Sequence, residues 1–320
     1  MSVWRSLRRR VLTPDVSATR MDVRGFHVKS AAGRERLETV GRTFLAGYAF
    51  AAEAKRPTDA EPSLEQVPTG YRGFAYEGAA MALAMRDGLP GGGTRHVADF
   101  LDGRARHHIY MVYVGVGWAM ARLPRFRWST LHAPDPLLRW LVLDGYGFHQ
   151  AYFVTTRYVH QQFRDERFPW PGHPYANSAI DQGIGRASWF VGGTDPETVA
   201  GLLNRFPEAR RPDLWAGTGL AAAYAGGASD TELRRLWDLA GPYRPQLMQG
   251  VAFAAAARVK ADLVQPHTEL ATELLCGMSP ASASKVTDEA LVGLPADGQI
   301  PAFAVWRERI AAAMVANFGS

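Results

Sequence analysis

The chain is 320 residues long and 47% hydrophobic, enough to bury a sizeable core, and it carries a net charge of +5 with a pI near 9.4. The positive charge is almost all arginine, with lysine only at Lys29, Lys55, Lys260 and Lys285, and outside Arg8, Arg9 and Arg10 it is interleaved with acids. That pattern argues against a nucleic-acid interface, which gathers its cations on one face, and the single cysteine, Cys276, excludes an internal disulfide.

Taken in chain order, the N-terminal stretch is basic and lacks the apolar core of a signal peptide. With one unpaired cysteine, this leads us to expect a cytoplasmic protein. Residues 1–30 read as a partly ordered arm, extended over 21–30. The longest uncharged apolar stretches, 109–121 and 247–257, fall short of the roughly 20 residues that span a bilayer, so no membrane span is expected. Residues 31–320 read as one domain.

Within that domain a small-residue cluster recurs seven times, starting at Gly47, Gly78, Gly115, Gly145, Gly183, Gly217 and Gly250. Successive spacings are 31, 37, 30, 38, 34 and 33 residues. A period in this range marks a helical repeat array, in which each unit buries its apolar face on its neighbours. Two positions after the glycine every copy has Gly or Ala; four positions after, six copies have Ala. Residues i and i+4 share a helix face, so each cluster is a shallow strip where another helix can come close. Three positions before the glycine stands an apolar residue, and six before it four copies carry Arg72, Arg139, Arg211 or Arg244.

Second helices between the clusters have legible starts. Ser229 and Glu232 form a capping-box pattern, and Asp195-Pro196 and Ser279-Pro280 place a cap residue before a first-turn proline. The expected fold is therefore all-α: a solenoid or toroid-like array of about seven helix-turn-helix units.

Motifs that would carry familiar chemistry are missing. Gly217, Gly219 and Ala222 fit a dinucleotide fingerprint literally, but no strand precedes them and the glycines recur in phase with the repeat. There is no phosphate-binding loop, no zinc-binding helix motif and no cysteine pair. His107 and His108 are adjacent rather than at metal-ligand spacing. We expect no cofactor and no metal.

Chemistry is expected where the repeat breaks its own rule. His149 occupies the position where six copies have alanine, and histidine is the usual acid or base near neutral pH. The residue just before the glycine is polar in four copies: Glu77, Asp144, Gln182 and Gln249. Equivalent positions line one surface of a solenoid. With Asp181 and Arg186 nearby, the candidate catalytic set is His149, Asp144, Glu77, Asp181 and Arg186. Tyr76, Trp118, Tyr146, Tyr152 and Trp189 would suit a lumen for a long apolar ligand. The plainer alternative pairs the acids with the phase-locked arginines and puts the aromatic rings in the core.

The runs Arg72-Gly73-Phe74-Ala75-Tyr76-Glu77-Gly78, Gly115-Val116-Gly117-Trp118-Ala119, Trp140-Leu141-Val142-Leu143-Asp144-Gly145-Tyr146-Gly147-Phe148-His149, Asp181-Gln182-Gly183-Ile184-Gly185-Arg186 and Asp213-Leu214-Trp215-Ala216-Gly217 carry a likeness. Together they resemble the UnbL-type family encoded beside enediyne polyketide synthases in actinobacteria, from about Arg24 to the C-terminus. The resemblance implies a role in enediyne biosynthesis, with a hydrophobic polyene or polyketide-derived intermediate as the partner. It transfers no catalytic residue. That role can be filled by an enzyme, by a non-catalytic scaffold or carrier for other cassette proteins, or by self-resistance through sequestering the product.

Overall fold

The computed structural model describes residues 15–90, 93 and 95–318, and among these it is all-helical with no strand. Arg8, Arg9 and Arg10, and the first half of the expected arm, lie outside the described residues. The α-helices are α1 (Met21–Arg24), α2 (Ala31–Glu53), α3 (Glu61–Glu65), α4 (Thr69–Gly88), α5 (His96–Leu101), α6 (Ile109–Arg122), α7 (Trp140–Phe153) and α8 (Ala176–Val191). They continue with α9 (Pro196–Leu203), α10 (Arg211–Ala225), α11 (Asp230–Ala240), α12 (Arg244–Lys260), α13 (Pro266–Cys276), α14 (Pro280–Glu289) and α15 (Ala302–Asn317). The extended reading of 21–30 is corrected at its start. Residues 21–24 are a helical turn, whose Met21 amide donates to Glu38 Oε1 at 3.1 Å.

Contacts group the chain into two compact units, one made of residues up to Arg24 with Glu38–Tyr146, the other of Gly25–Leu37 with the residues from Gly147 onward. Each of the seven glycine clusters falls within a long helix: α2, α4, α6, α7, α8, α10 or α12.

In the first unit the glycines press directly on backbone. A methyl group on Gly47 would stand 1.9 Å from the Ala75 carbonyl oxygen, and one on Gly78 1.9 Å from that of Phe44. Gly115 meets the Glu77 carbonyl in the same way, Gly145 that of Val114, and Gly117 that of Val142. The second unit repeats the scheme. Gly217 lies against the Gln182 carbonyl, Gly250 against Ala216, Gly185 against Leu214 and Gly219 against Leu247.

A rule emerges from these pairs. Gly115, Gly145, Gly217 and Gly250, each the first glycine of its cluster, seat the carbonyl of the residue just before the preceding cluster's glycine. The second small residue seats the carbonyl three positions before the next cluster's glycine. The apolar residue at that upstream position therefore belongs to the contact, its side chain in the core and its carbonyl in the groove. Such backbone approach places Cα–H groups against carbonyl oxygens and is possible only without a side chain.

The phase-locked arginines close the preceding segment. Arg72 donates to the carbonyls of Val67 and Glu65, five and seven residues back, and Arg211 repeats both offsets on Phe206 and Asn204. Arg244 donates to Trp237, again seven back. Carbonyls at a helix C-terminus have no partner inside the helix, and a guanidinium both bonds them and favours the negative end of the dipole. These three arginines thus serve as caps, a correction to the expectation that they pair chiefly with the pre-glycine acids.

The legible starts are where the sequence places them. Ser229 and Glu232 complete a reciprocal capping box on α11, Asp195 Oδ1 accepts from the Thr198 amide, and Ser279 Oγ accepts from that of Ser282.

Candidate functional site

The ten sequence candidates divide evenly between the two units. In the first, Glu77, Asp144, Tyr76, Trp118 and Tyr146 are all buried. Glu77 lends its backbone carbonyl to the Gly115 contact. The Tyr76 hydroxyl donates to Glu65 Oε1 at 2.6 Å, and its ring stacks on His108 at 3.8 Å between centroids. Burial and then the Glu65 carboxylate hold the Tyr76 hydroxyl far above its ordinary pKa, so it stays protonated. Trp118 packs on Phe44 and Tyr146 on Trp128.

In the second unit His149 is buried beside Phe153, 4.7 Å between ring centroids, and Arg186 lies over the Phe148 ring at 5.1 Å. Tyr152 sits in an aromatic cluster with Phe26, Phe148, Phe153 and Phe190. Trp189 donates through Nε1 to the Gly226 carbonyl just past the end of α10. Asp181 is clasped by Arg210, whose Nε and Nη2 reach its two oxygens at 2.9 and 2.6 Å, with both side chains buried. Burial pushes the Asp181 carboxyl up to about 6 while Arg210 pulls it down. Its partner is the residue next to the phase-locked Arg211.

None of these five lines the cavity found in the second unit. That cavity has a volume of about 590 Å³ and is built from first-turn residues of several helices. Tyr175 and Ser178 come from the start of α8, Pro212 and Asp213 from α10, Gln246 and Gln249 from α12, and Pro301, Ala304 and Arg307 from α15 and its approach. Helix starts gather here because α8, α10 and α12 run side by side through their glycine contacts.

Arg307 organises the polar wall. It follows the apolar stretch Phe303-Ala304-Val305-Trp306 and precedes Glu308 and Arg309, with its side chain 8% exposed. Its Nε donates to Gln249 Oε1 at 3.0 Å, and its Nη1 donates to Asp213 Oδ1 at 2.7 Å and to the Tyr175 hydroxyl at 2.8 Å. Burial works against the cation, but attraction from Tyr175 and Asp213 outweighs it and keeps the guanidinium charged. The same burial holds the Tyr175 hydroxyl up at about 12.

Three polar groups of this wall have no partner among the described residues. Arg307 Nη2 makes no hydrogen bond there, and Gln249 Nε2 and Gln246 Oε1 are buried and unsatisfied. A buried polar group left unpaired costs roughly 1–3 kcal/mol, so native interiors tolerate few. Gln249 Nε2 and Gln246 Oε1 are closed even to water, so of the three only Arg307 Nη2 is open to a ligand in the cavity.

A family model described as "Protein of unknown function (DUF1702)" matches residues 3–314. The chain belongs to this family. No curated protein and no solved structure matches it. No helix among the described residues of this DUF1702 chain is long and apolar enough to cross a membrane, and no cluster of three or more His, Cys, Asp or Glu there could hold a metal ion.

Sequence reasoning reached one wall residue by its class, since Gln249 is a polar pre-glycine residue, and it quoted Asp213 only as part of a motif. Arg307, Tyr175 and Gln246 escaped it. No sequence signal set Arg307 apart, because it stands next to Glu308 and a second arginine, Arg309.

Proposed function

We propose that the protein binds a linear polyene or polyketide-derived intermediate during enediyne core formation, and that the cavity around Arg307 receives it. The observation that carries this reading is a cavity of about 590 Å³ whose wall holds a charged guanidinium with its Nη2 unbonded. Small-molecule sites have volumes of roughly 300–1,000 Å³ and combine apolar walls with a few placed polar groups. Here Pro212, Ile300, Pro301 and Ala304 offer hydrocarbon contact, while Arg307 would hold an oxygenated end through Nη2. The pathway assignment rests on the motif resemblance, and a cytoplasmic setting accords with one buried, unpaired thiol at Cys276.

The residues support recognition of a ligand. The test is complementation of a producing strain that lacks the gene. Gln249→Glu, which keeps an oxygen for Arg307 Nε but sets a second carboxylate against its cation, is expected to lower product titre at least tenfold while the protein melts like wild type. His149→Ala serves as the comparison for the repeat exception. Normal titre with folded Gln249→Glu would contradict the cavity reading. Loss confined to surface variants would support a scaffold instead, and protection of DNA from cleavage by the purified chain would support self-resistance.

A further inference from the structure

We infer that one end of the first unit rests on an anionic lipid surface, with Phe126 entering the hydrocarbon and the cations beside it meeting the headgroups. This goes beyond the ligand reading and does not depend on it.

Phe126 is 80% exposed, and among the described residues between Glu38 and Tyr146 it is the one exposed large hydrophobic side chain. That exposure is built into the local structure. Phe126 belongs to a 3₁₀ turn, Arg125–Thr130, entered through Pro124. Three residues to the turn bring position 125 over 128, so the Arg125 guanidinium lies over the Trp128 ring at 5.6 Å while position 126 faces elsewhere. Trp128 is buried, and its Nε1 donates to the carbonyls of Met120 and Leu123 at 3.0 and 3.2 Å, which fastens the turn to the end of α6. Arg127 Nε fastens it to the end of α4 through the Gly88 carbonyl at 2.6 Å. The exposed ring therefore stands on an anchored turn.

Charge indicates what covers it. The ends of α2, α4 and α6 meet here: a methyl on Gly88 would press on Leu123, and the buried Arg86 donates to the carbonyls of Ala51, Ala54 and Lys55. From Arg122 to Pro134 the chain has three arginines and no acid, a departure from the interleaving found over most of the sequence. Lys55, Arg122 and Arg125 are exposed, and Lys55, Arg122 and Arg127 form no salt bridge among the described residues. Arg56 and Arg95, by contrast, are matched by Asp59 and Asp99. Unmatched cations beside an anchored, protruding ring fit a surface that is negative outside and hydrocarbon within. A protein partner would need an apolar core to bury, which one isolated ring does not supply. The phosphates of a nucleic-acid duplex would meet the cations but leave the ring in water.

The experiment sediments the purified full chain with phosphatidylcholine vesicles, either pure or containing phosphatidylglycerol. At low salt the anionic vesicles are expected to bind about tenfold tighter or more, an advantage that high salt removes. Phe126→Ser should weaken that binding about tenfold, as expected for withdrawing an aromatic ring from hydrocarbon, while the variant melts like wild type. Arg122→Glu should also weaken it about tenfold. A polarity-sensitive dye on Phe126→Cys, with Cys276 buried away from label, should brighten and shift to the blue on anionic vesicles. Equal binding to both vesicles, anionic binding that Phe126→Ser leaves unchanged, or a dye that stays in water would each overturn the inference. Capture of a single-stranded oligonucleotide in place of the vesicles would overturn it in favour of a nucleic-acid contact.

Discussion

Gly250→Ala is expected to destabilise the protein by more than about 3 kcal/mol or to prevent folding, as read by urea unfolding of the purified variant. The added methyl would stand 1.8 Å from the Ala216 carbonyl oxygen and 2.8 Å from the Leu220 amide nitrogen, both backbone atoms of α10. No side chain can swing aside, so α10 and α12 would have to separate by more than an ångström along their contact. Overpacking costs of about 1–3 kcal/mol assume a side chain that yields, and here none does. The gain from replacing a helical glycine, about 1 kcal/mol, is too small to compensate. Gly201 in α9 supplies the control, because a methyl there meets nothing within 4 Å. Gly201→Ala should therefore stabilise by about 0.5–1 kcal/mol. Wild-type stability of Gly250→Ala would show that the clusters do not seat carbonyls.

Arg210→Met is the second large effect, with an expected loss of about 3–5 kcal/mol near pH 8. It strands Asp181, a buried carboxylate whose two oxygens are held by that guanidinium. Arg210 Nη1 also bonds the Gln162 carbonyl, so a loop contact goes with it. The pH dependence has a definite sign. Burial already lifts the Asp181 carboxyl to about 6 against an ordinary 3.8, and removing the cation lifts it further. Between those values the folded variant holds a proton that the unfolded chain has released, so stability falls as pH rises through that window. The variant should consequently be closer to wild type at pH 5 than at pH 8, in urea melts at both. A deficit independent of pH would mean that Asp181 is not carrying the cost.

Much of the architecture was readable because it is local and periodic. The position three before the glycine reads as merely apolar, yet at Phe44, Ala75, Val142, Ile180, Leu214 and Leu247 it supplies the carbonyl that a neighbouring cluster seats, and both facts follow from one helix geometry. The caps at Asp195, Ser229 and Ser279 were likewise legible, since each needs only three or four consecutive residues. The cavity was not, for the opposite reason. Arg307 meets Gln249, Asp213 and Tyr175 across 58, 94 and 132 residues of chain, and α15 lies beyond the last glycine cluster. No period links those positions. His149 drew attention as the exception to alanine, and it falls where the spacing to the next cluster is longest, 38 residues, with a π-helical turn at Thr156–His160 in between. The unit is stretched there, and the small residue that close packing demands elsewhere is replaced by a ring lying against Phe153.

The most direct test of where the ligand sits is photolabelling followed by peptide mapping. A linear polyene carrying a diazirine at one end would be irradiated with the purified protein, with excess unlabelled polyene as competitor. Competable label is expected on peptides containing Tyr175, Gln246 and the 299–311 segment, all of which border the cavity. Competable label concentrated instead around His149 and Tyr152, or around Glu77 and Trp118, would contradict the account and return the site to the repeat exception.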